Sequence, residues 1–250
     1  MKKHFAWMFI AIFAIGINGQ VAQNKKNDES KTINAGSTIA FSATEQAKAT
    51  LQAHGGDKLV NFKTLVIKGS ADLTSSMSPQ AIPAGFATVF SGVKFRMEIQ
   101  SPFFNFSQIF DGEQNYSSIG TFSMPMNKAG FSLLTKINQE GYTVSSLPEK
   151  LKKKKGFRIT SPEGFYTDFI VDEKTNQVKE YEASYQINGA TLTTSVSIEK
   201  YREVNGVWIN ERYSQRLETP QGSFYASYKA KDILVDSEVS DDVFSIPRKN

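Results

Sequence analysis

Histidine and cysteine, which carry much of the nucleophilic and metal chemistry of proteins, are nearly absent from this chain. Its 250 residues include two histidines, His4 and His54, and no cysteine. The lack of cysteine excludes disulfides, thiol nucleophiles, iron–sulfur clusters, thiolate zinc sites and a lipid-modified N-terminal cysteine. Two histidines are too few for a multi-histidine metal site, and we expect no histidine-based triad. The sequence therefore predicts neither a metal nor a cofactor.

Carboxylates are the remaining candidates for acid–base chemistry, and their positions favour structural roles. Glu180 and Glu182 alternate on one face of a predicted strand, and nothing in their spacing specifies a glycosidase pair. Asp57, Asp111 and Asp172 lie beside turns, where aspartate stabilises the backbone. The sequence contains no phosphate-binding loop, nucleophile elbow or calcium-binding loop. We therefore expect no catalytic residue and a protein that is not an enzyme.

Two further charged features have structural explanations. Lys150 and the run from Lys152 to Lys155 separate two predicted strands, which fits a solvated hairpin tip or a charge-protected strand edge. The alternative for these lysines is contact with anionic lipid headgroups. His54 ends the first predicted helix, where an imidazolium interacts well with the helix dipole. The balance of 29 basic and 25 acidic residues is close to even, so no nucleic-acid partner is expected.

The N-terminus has the features of an export signal. Lys2 and Lys3 precede an uncharged, mostly apolar run over residues 5–17, which is too short to span a bilayer comfortably. We expect residues 1–19 to be a signal peptide that is cleaved on secretion to the periplasm, with an uncleaved anchor as the alternative. Residues 20–40 are polar and without periodicity, which predicts a flexible leader. Since no other segment is apolar enough to span, membrane contact should be peripheral at most.

The folded part begins with a helix and continues as strands. Ser42 and Glu45 match a capping box, so the sequence predicts a helix over residues 42–54 that ends at Gly55-Gly56, with a short second turn over 57–61. Apolar and polar residues then alternate with period two, which is typical of half-buried strands. Asn188-Gly189 and Asn205-Gly206 favour type I′ hairpins and hence antiparallel neighbours. About eleven strands are predicted, near 63–75, 84–91, 94–101, 104–110, 114–119, 156–160, 164–171, 178–187, 191–203, 207–218 and 223–231.

Residues 120–150 interrupt this alternation and predict a short helix or lid. Its apolar side chains are either a lid over the sheet or a second core helix, and they are Met124, Met126, Phe131, Leu133, Leu134 and Ile137. A sheet of eleven strands is expected to curl and to bury one face. The predicted fold class is mainly β with few helices (α+β). It is a curled antiparallel sheet forming an open half-barrel, covered by the N-terminal helix and the mid-chain helical lid. Residues 41–250 form one domain.

Several motifs in this layout resemble the LolA-like superfamily, which includes outer-membrane lipoprotein-sorting proteins, lipoprotein carriers and their relatives of the RseB and LppX types. The resemblance spans residues 43–247, although Asn210 stands where the family usually has proline. The family's functional arginine has no clear counterpart, and its role is not carried over to Arg96. The motifs are Gly55-Gly56-Asp57-Lys58-Leu59 with the strand at 65–69, Lys94-Phe95-Arg96-Met97-Glu98, Phe110-Asp111-Gly112, Asn205-Gly206-Val207-Trp208-Ile209, and Asp242-Val243-Phe244-Ser245-Ile246-Pro247.

The resemblance implies a non-catalytic periplasmic carrier that holds the acyl chains of a lipid or lipoprotein in an apolar cavity. Its expected partners are that ligand and envelope transport or receptor proteins, and the chain is expected to be a monomer. One alternative is a sensor or protein-interaction module of the RseB type, and another is a dry core without a cavity. The candidate cavity residues are Leu65, Ile67, Phe95, Met97, Ile99, Phe104, Phe106, Tyr181, Tyr185, Ile187, Leu192, Val196, Ile198, Phe224 and Tyr228.

Overall fold

A computed structural model describes residues 42–120, 129–187, 190–220 and 222–247. The predicted signal, the whole predicted leader, the turn Asn188-Gly189 and the methionines Met124 and Met126 therefore lie outside the described residues. Helix α1 (Ala43–Ala53) begins with the predicted capping box. Ser42 Oγ accepts from the Glu45 N–H at 3.2 Å, and Glu45 Oε2 accepts from the Ser42 N–H at 2.8 Å.

The first helix ends where the two glycines predict it. Gly55 and Gly56 adopt φ values of 120° and 55°, which other residues rarely adopt. A second helix, α2 (Asp57–Asn61), follows at once. A Cβ at Gly55 would lie 2.6 Å from the carbonyl oxygen of Gly206, so the glycine also lets the helix end approach the hairpin at Asn205-Gly206 closely. Both hairpin residues have positive φ, as a type I′ turn requires.

The sheet has twelve strands rather than the predicted eleven, and all neighbouring pairs are antiparallel. The additional strand, β6, is three residues long, which is too short for its alternation to be recognised in the sequence. The strands are β1 (Thr64–Ser75), β2 (Ser78–Ser91), β3 (Lys94–Gln100), β4 (Asn105–Phe110), β5 (Asn115–Ser117), β6 (Thr143–Ser145), β7 (Gly156–Thr160), β8 (Tyr166–Val171), β9 (Val178–Ile187), β10 (Ala190–Val204), β11 (Val207–Thr219) and β12 (Gly222–Val235).

Strand β2 begins six residues earlier than predicted, and its two prolines explain the error. Pro79 and Pro83 argue against a central strand because proline has no N–H for the ladder. In the sheet, β3 pairs with β2 only as far as Gly85 opposite Gln100. Among the described strands, only β1 pairs with the first half of β2, so the missing donors are tolerated there.

The strand order is β5-β4-β3-β2-β1-β12-β11-β10-β9-β8-β7-β6. Strands β1–β5 and β6–β12 are two meanders, joined along the central pair of β1 with β12. The sheet is open, because β5 and β6 lie at opposite ends of this order. The chain between β5 and β6 must therefore run from one edge of the sheet to the other. It contains a 3-10 helix, Gly130–Lys136, where the sequence predicts a short helix or lid.

Both faces of the curled sheet are partly covered. Helix α1 packs on the concave face, where Ala47 and Leu51 join a large cluster with Leu133 and Leu134 of the 3-10 helix. The convex face is covered by the chain after β12, which includes the 3-10 helix Asp241–Phe244. Phe244 is buried there against side chains of three strands, which are Val66, Val89 and Ile109. One further 3-10 helix, Glu149–Leu151, precedes β7.

Candidate ligand-binding site on the concave face

The candidate cavity residues lie along the concave face but differ in how far they are buried. Phe224 faces Leu217 and Ser75 in the register of β12, and Ile187 ends β9 outside the part of the chain whose side chains are described. Five of the candidates are half-buried, namely Ile67, Ile99, Phe104, Tyr181 and Phe224. Nine are buried, namely Leu65, Phe95, Met97, Phe106, Tyr185, Leu192, Val196, Ile198 and Tyr228.

The curl of the sheet brings distant strands together across this face. Met97 and Phe106 of β3 and β4 share one buried cluster with Ala183, Tyr185 and Leu192 of β9 and β10. Five strands separate β3 from β9 in the sheet order. The concave face is therefore the inside of a trough. Several of its aromatic and aliphatic side chains are only half-buried.

The mid-chain 3-10 helix is anchored on this trough. The Gly130 N–H donates to Thr167 Oγ1 at 2.9 Å, which fixes the start of the helix on β8. Leu133 and Leu134 are wholly buried, whereas Phe131 and Ile137 remain half-buried. The Phe131 ring centroid lies 5.1 Å from that of His54 and 6.4 Å from that of Tyr181. The segment thus contributes to the core through its leucines and borders the trough through Phe131.

His54 does not interact with the helix dipole as a cation, contrary to the sequence prediction. It is wholly buried at the end of α1, and Nε2 accepts from the Val178 N–H at 2.9 Å. Burial lowers its pKa to about 4, and the Trp208 backbone offsets only part of this effect. The neutral imidazole contacts the edge of Tyr201 at 4.9 Å between ring centroids. His54 therefore joins α1 to β9 and β10 as an uncharged core residue.

Four tyrosines from three strands form a group on the concave face, which we call the tyrosine cluster: Tyr181, Tyr185, Tyr213 and Tyr228. Tyr213 stacks on Tyr228 with ring centroids 4.7 Å apart, and Tyr228 contacts Phe86 at 5.1 Å. Burial raises the pKa of Tyr185 and Tyr228 to about 12, and it raises the pKa of Tyr181 and Tyr213 as well. Yet Tyr181 and Tyr213 keep accessible surface. Tyr181 and Tyr213 are therefore surrounded by protein and still reached by solvent, which means that they lie in a recess.

Tyr213 and its neighbour Gln215 are site residues that the sequence does not reveal. Strand β11 has half-buried residues on both faces over most of its length, so its alternation gives no clear inward side. The inward position of Tyr213 follows from its register opposite Tyr228. Gln215 Nε2 donates to Thr194 Oγ1 at 2.8 Å, which satisfies both polar groups within the trough. The concave face is therefore more polar than the aliphatic stripe that the sequence predicts.

The charged residues of β7–β9 are on the other face. Arg158 donates from Nε and Nη2 to the two oxygens of the wholly buried Asp168 at 2.6 and 2.8 Å. The guanidinium carbon of Arg158 also lies 3.9 Å from the ring centroid of Tyr166. A buried carboxylate with a bidentate arginine partner is a structural ion pair. It supplies no group to the trough.

The lysine run is largely paired, as a solvated charged segment would be. Lys150 Nζ lies 3.4 Å from a carboxylate oxygen of Glu182, and Lys154 Nζ lies 3.0 Å from one of Glu180. Lys152 pairs with Glu149 one turn away, and Lys155 donates to Asn176 Oδ1 at 2.9 Å. The two glutamates on β9 are thus explained as ion-pair partners of lysines. No role in acid–base chemistry is needed to explain their presence.

Two clefts of about 440 and 400 Å³ lie on the convex face and share Lys68, Ala87 and Glu98. Arg96 borders the second cleft, where it pairs with Glu98 and donates from Nη1 to the Val243 carbonyl at 2.8 Å. Arg96 thus holds the chain after β12 against the sheet and does not face the trough.

Among the described residues, no three His, Cys, Asp or Glu side chains are grouped to hold a metal ion. None of the described helices is long and apolar enough to cross a membrane.

Comparison with known proteins identifies the fold. No known protein family has a sequence model that matches this chain, and no curated protein matches it. Among solved structures, a LolA superfamily protein from Nitrosomonas europaea aligns with a TM-score of 0.50 over 83% of this chain and 99% of its own, at 11% identity. The chain has the LolA-like fold. At this identity the likeness is one of fold, and it carries no residue's role across.

Two further structures align over similar lengths. A DUF1329 family protein from Desulfovibrio piger has a TM-score of 0.49 at 10% identity, covering 82% of this chain and 98% of that one. A putative outer membrane lipoprotein-sorting protein domain from Vibrio parahaemolyticus has a TM-score of 0.45 at 10% identity, covering 79% and 97%. The LolA-like fold that the motifs predict is confirmed by the Nitrosomonas europaea structure and by the open antiparallel sheet.

Proposed function

We propose that this chain is a non-catalytic carrier that holds acyl chains of a lipid or lipoprotein in the trough on its concave face. The observation that carries the proposal is the set of half-buried apolar side chains packed against the concave-face core, which are Ile67, Ile99, Phe104 and Phe131. Apolar surface that stays partly open inside a concave site is typical of ligand pockets. Within the described part of the chain, the trough contains no group arranged for acid–base or nucleophilic catalysis.

Burial of an acyl chain in such a site provides enough free energy for binding without any covalent bond to the ligand. Burying a methylene group contributes about 0.8 kcal/mol. An acyl chain of about 16 carbons therefore gains on the order of 12 kcal/mol before the losses from ordering the ligand and the side chains. This gain allows tight binding of a ligand that is otherwise insoluble. A soluble carrier for such a ligand needs no cofactor.

The expected location and partners follow from the sequence and support the same function. The predicted signal over residues 1–19 directs the chain to the periplasm, where lipids and lipoproteins must cross an aqueous space. Its partners there are the acylated ligand and the envelope transport or receptor proteins that deliver and accept it. We propose that the carrier acts as a monomer with no more than peripheral contact with the membrane.

The proposal is tested by isolating the protein with whatever it carries. The chain is expressed with its own signal, purified gently from the periplasm, and analysed by native mass spectrometry with lipid extraction. We expect a stoichiometric acylated ligand. A ligand-free mass that does not change on adding lipids or solubilised lipoprotein would contradict the carrier function, and capture of one specific envelope protein instead would favour the sensor alternative.

A pair of variants connects the ligand to the trough. Ile99→Glu places a charge at a half-buried position that contacts both buried clusters of the concave face. Leu234→Glu makes the same change on the convex face, at a side chain that is 50% exposed. We expect the first variant to lose the co-purified ligand and the second to retain it. Equal retention by two folded variants would place the ligand elsewhere.

A further inference from the structure

The hydroxyl groups of the tyrosine cluster make no hydrogen bond within the part of the chain that the structure describes. Among the described residues, none of the hydroxyls of Tyr181, Tyr185, Tyr213 and Tyr228 has a hydrogen-bond partner, and each oxygen keeps some contact with solvent. By contrast, Tyr201 donates to the Val178 carbonyl at 2.6 Å. Tyrosine hydroxyls in protein interiors usually have a protein partner. Four solvent-accessible hydroxyls in one recess, without a partner among the described residues, are available to bond a polar group of a ligand.

Among the described residues, no charged side chain acts on the hydroxyls in this recess. The groups that act electrostatically on Tyr181 and Tyr213 are other tyrosines of the cluster. The side chains of Gln215 and Thr194 are hydrogen-bonded to each other. The nearby ring of Tyr181 packs against Phe131 and Phe169. An ionised group would therefore enter an apolar recess without a counter-charge, which is strongly unfavourable. An uncharged acceptor would not incur this cost.

Resting on the proposed carrier function, we propose that Tyr181 and Tyr213 donate hydrogen bonds to the uncharged carbonyl of an ester- or amide-linked acyl chain. The carrier then selects esterified or amide-linked chains over free fatty acids. A carbonyl oxygen has two lone pairs and accepts from two phenols at once. The surrounding apolar side chains of Ile99, Phe104 and Phe131 take up the hydrocarbon on either side of it.

The test compares ligands that share a chain length and differ at one group. The probes are 1-lauroylglycerol, which is an ester, 1-O-dodecylglycerol, which lacks only the carbonyl, and laurate, which is ionised at about pH 8. Each displaces the uncharged dye N-phenyl-1-naphthylamine from delipidated protein. We expect the ester to bind about thirtyfold more tightly than the ether, because each of the two hydrogen bonds to the carbonyl contributes about 1 kcal/mol. Laurate should bind more weakly than the ester.

The double variant Tyr181→Phe/Tyr213→Phe removes the two hydroxyls and keeps the rings. We expect it to bind ester and ether equally while retaining its affinity for the ether. Tyr225→Phe is the matched control, because Tyr225 is 40% exposed and pairs opposite Arg216 on the convex face. Equal binding of ester and ether by the unmodified protein would overturn the carbonyl proposal and leave the carrier function standing. Failure of all three probes to bind would instead contradict the carrier function.

Discussion

At the scale of single residues, the molecule separates its polar groups by face. Asp168 and Arg158 neutralise each other on the convex side, while the polar groups described in the trough, such as Tyr213 and Gln215, are uncharged. His54 is the buried ionisable residue between α1 and the trough, and it is neutral there. Its titration is therefore coupled to the position of the helix that covers the sheet.

The burial of His54 predicts an acid-sensitive stability. Its pKa falls from 6.5 in the unfolded chain to about 4 in the folded protein, so between these values the unfolded chain binds more protons. The free energy of unfolding is therefore highest above about pH 6.5 and decreases as the pH falls towards 4, by about 3 kcal/mol in total. Urea unfolding followed across this range measures the decrease.

The variant His54→Gln isolates this contribution, because carboxylates also titrate in acid. Glutamine can accept from the Val178 N–H and does not ionise. We expect the stability difference between the two proteins to shrink as the pH falls from 6.5 to 4. A difference that is constant across this interval would mean that His54 is already solvated in the folded state.

At the scale of elements, the two interpretations of the mid-chain segment predict different effects on stability. A lid that opens in the ligand-free protein would expose its apolar side chains, whereas a core helix would keep them buried. Leu133 is 0% exposed and belongs to the main cluster together with α1. We therefore expect Leu133→Ala to reduce the free energy of unfolding of delipidated protein by about 2 to 5 kcal/mol.

Ile137, which directly follows the same 3-10 helix, provides the control position for Leu133→Ala. It is half-buried, so Ile137→Ala should have a smaller effect in the same urea titration. If both variants were as stable as the parent, the segment would behave as a movable lid in solution. Equal and large losses would mean that the whole segment is core.

The elements also show what the sequence can predict. The capping box of α1, the Gly55-Gly56 stop and the Asn205-Gly206 hairpin depend on local backbone chemistry, and all three are confirmed. The length of β2 could not be predicted, because Pro83 is acceptable only where β3 has ended. The inward position of Tyr213 depends on its pairing with β12, and no local pattern specifies that pairing. The sequence-based predictions thus fail where the environment of a residue is determined by strands that are distant in the sequence.

At the scale of the whole molecule, the two faces of the sheet have separate cores. The convex cluster around Phe244 shares no buried residue with the concave clusters. Phe244→Ala should therefore reduce stability by about 3 to 5 kcal/mol while leaving the affinity for 1-lauroylglycerol unchanged. Val93→Ala is a suitable control, because this side chain is 65% exposed and its loss should change stability by less than about 0.5 kcal/mol. Weaker ligand binding by Phe244→Ala under conditions where it is fully folded would show that the faces are coupled.

The central pair of β1 with β12 also has a consequence for how the protein is made. Leu65 lies opposite Val235, so the seam between the two meanders closes only after the last strand has been synthesised. Until then the chain lacks a complete core, and such non-local pairing is slow because a long loop must close first. The position of one strand pair thus delays completion of the fold until the whole chain has been synthesised.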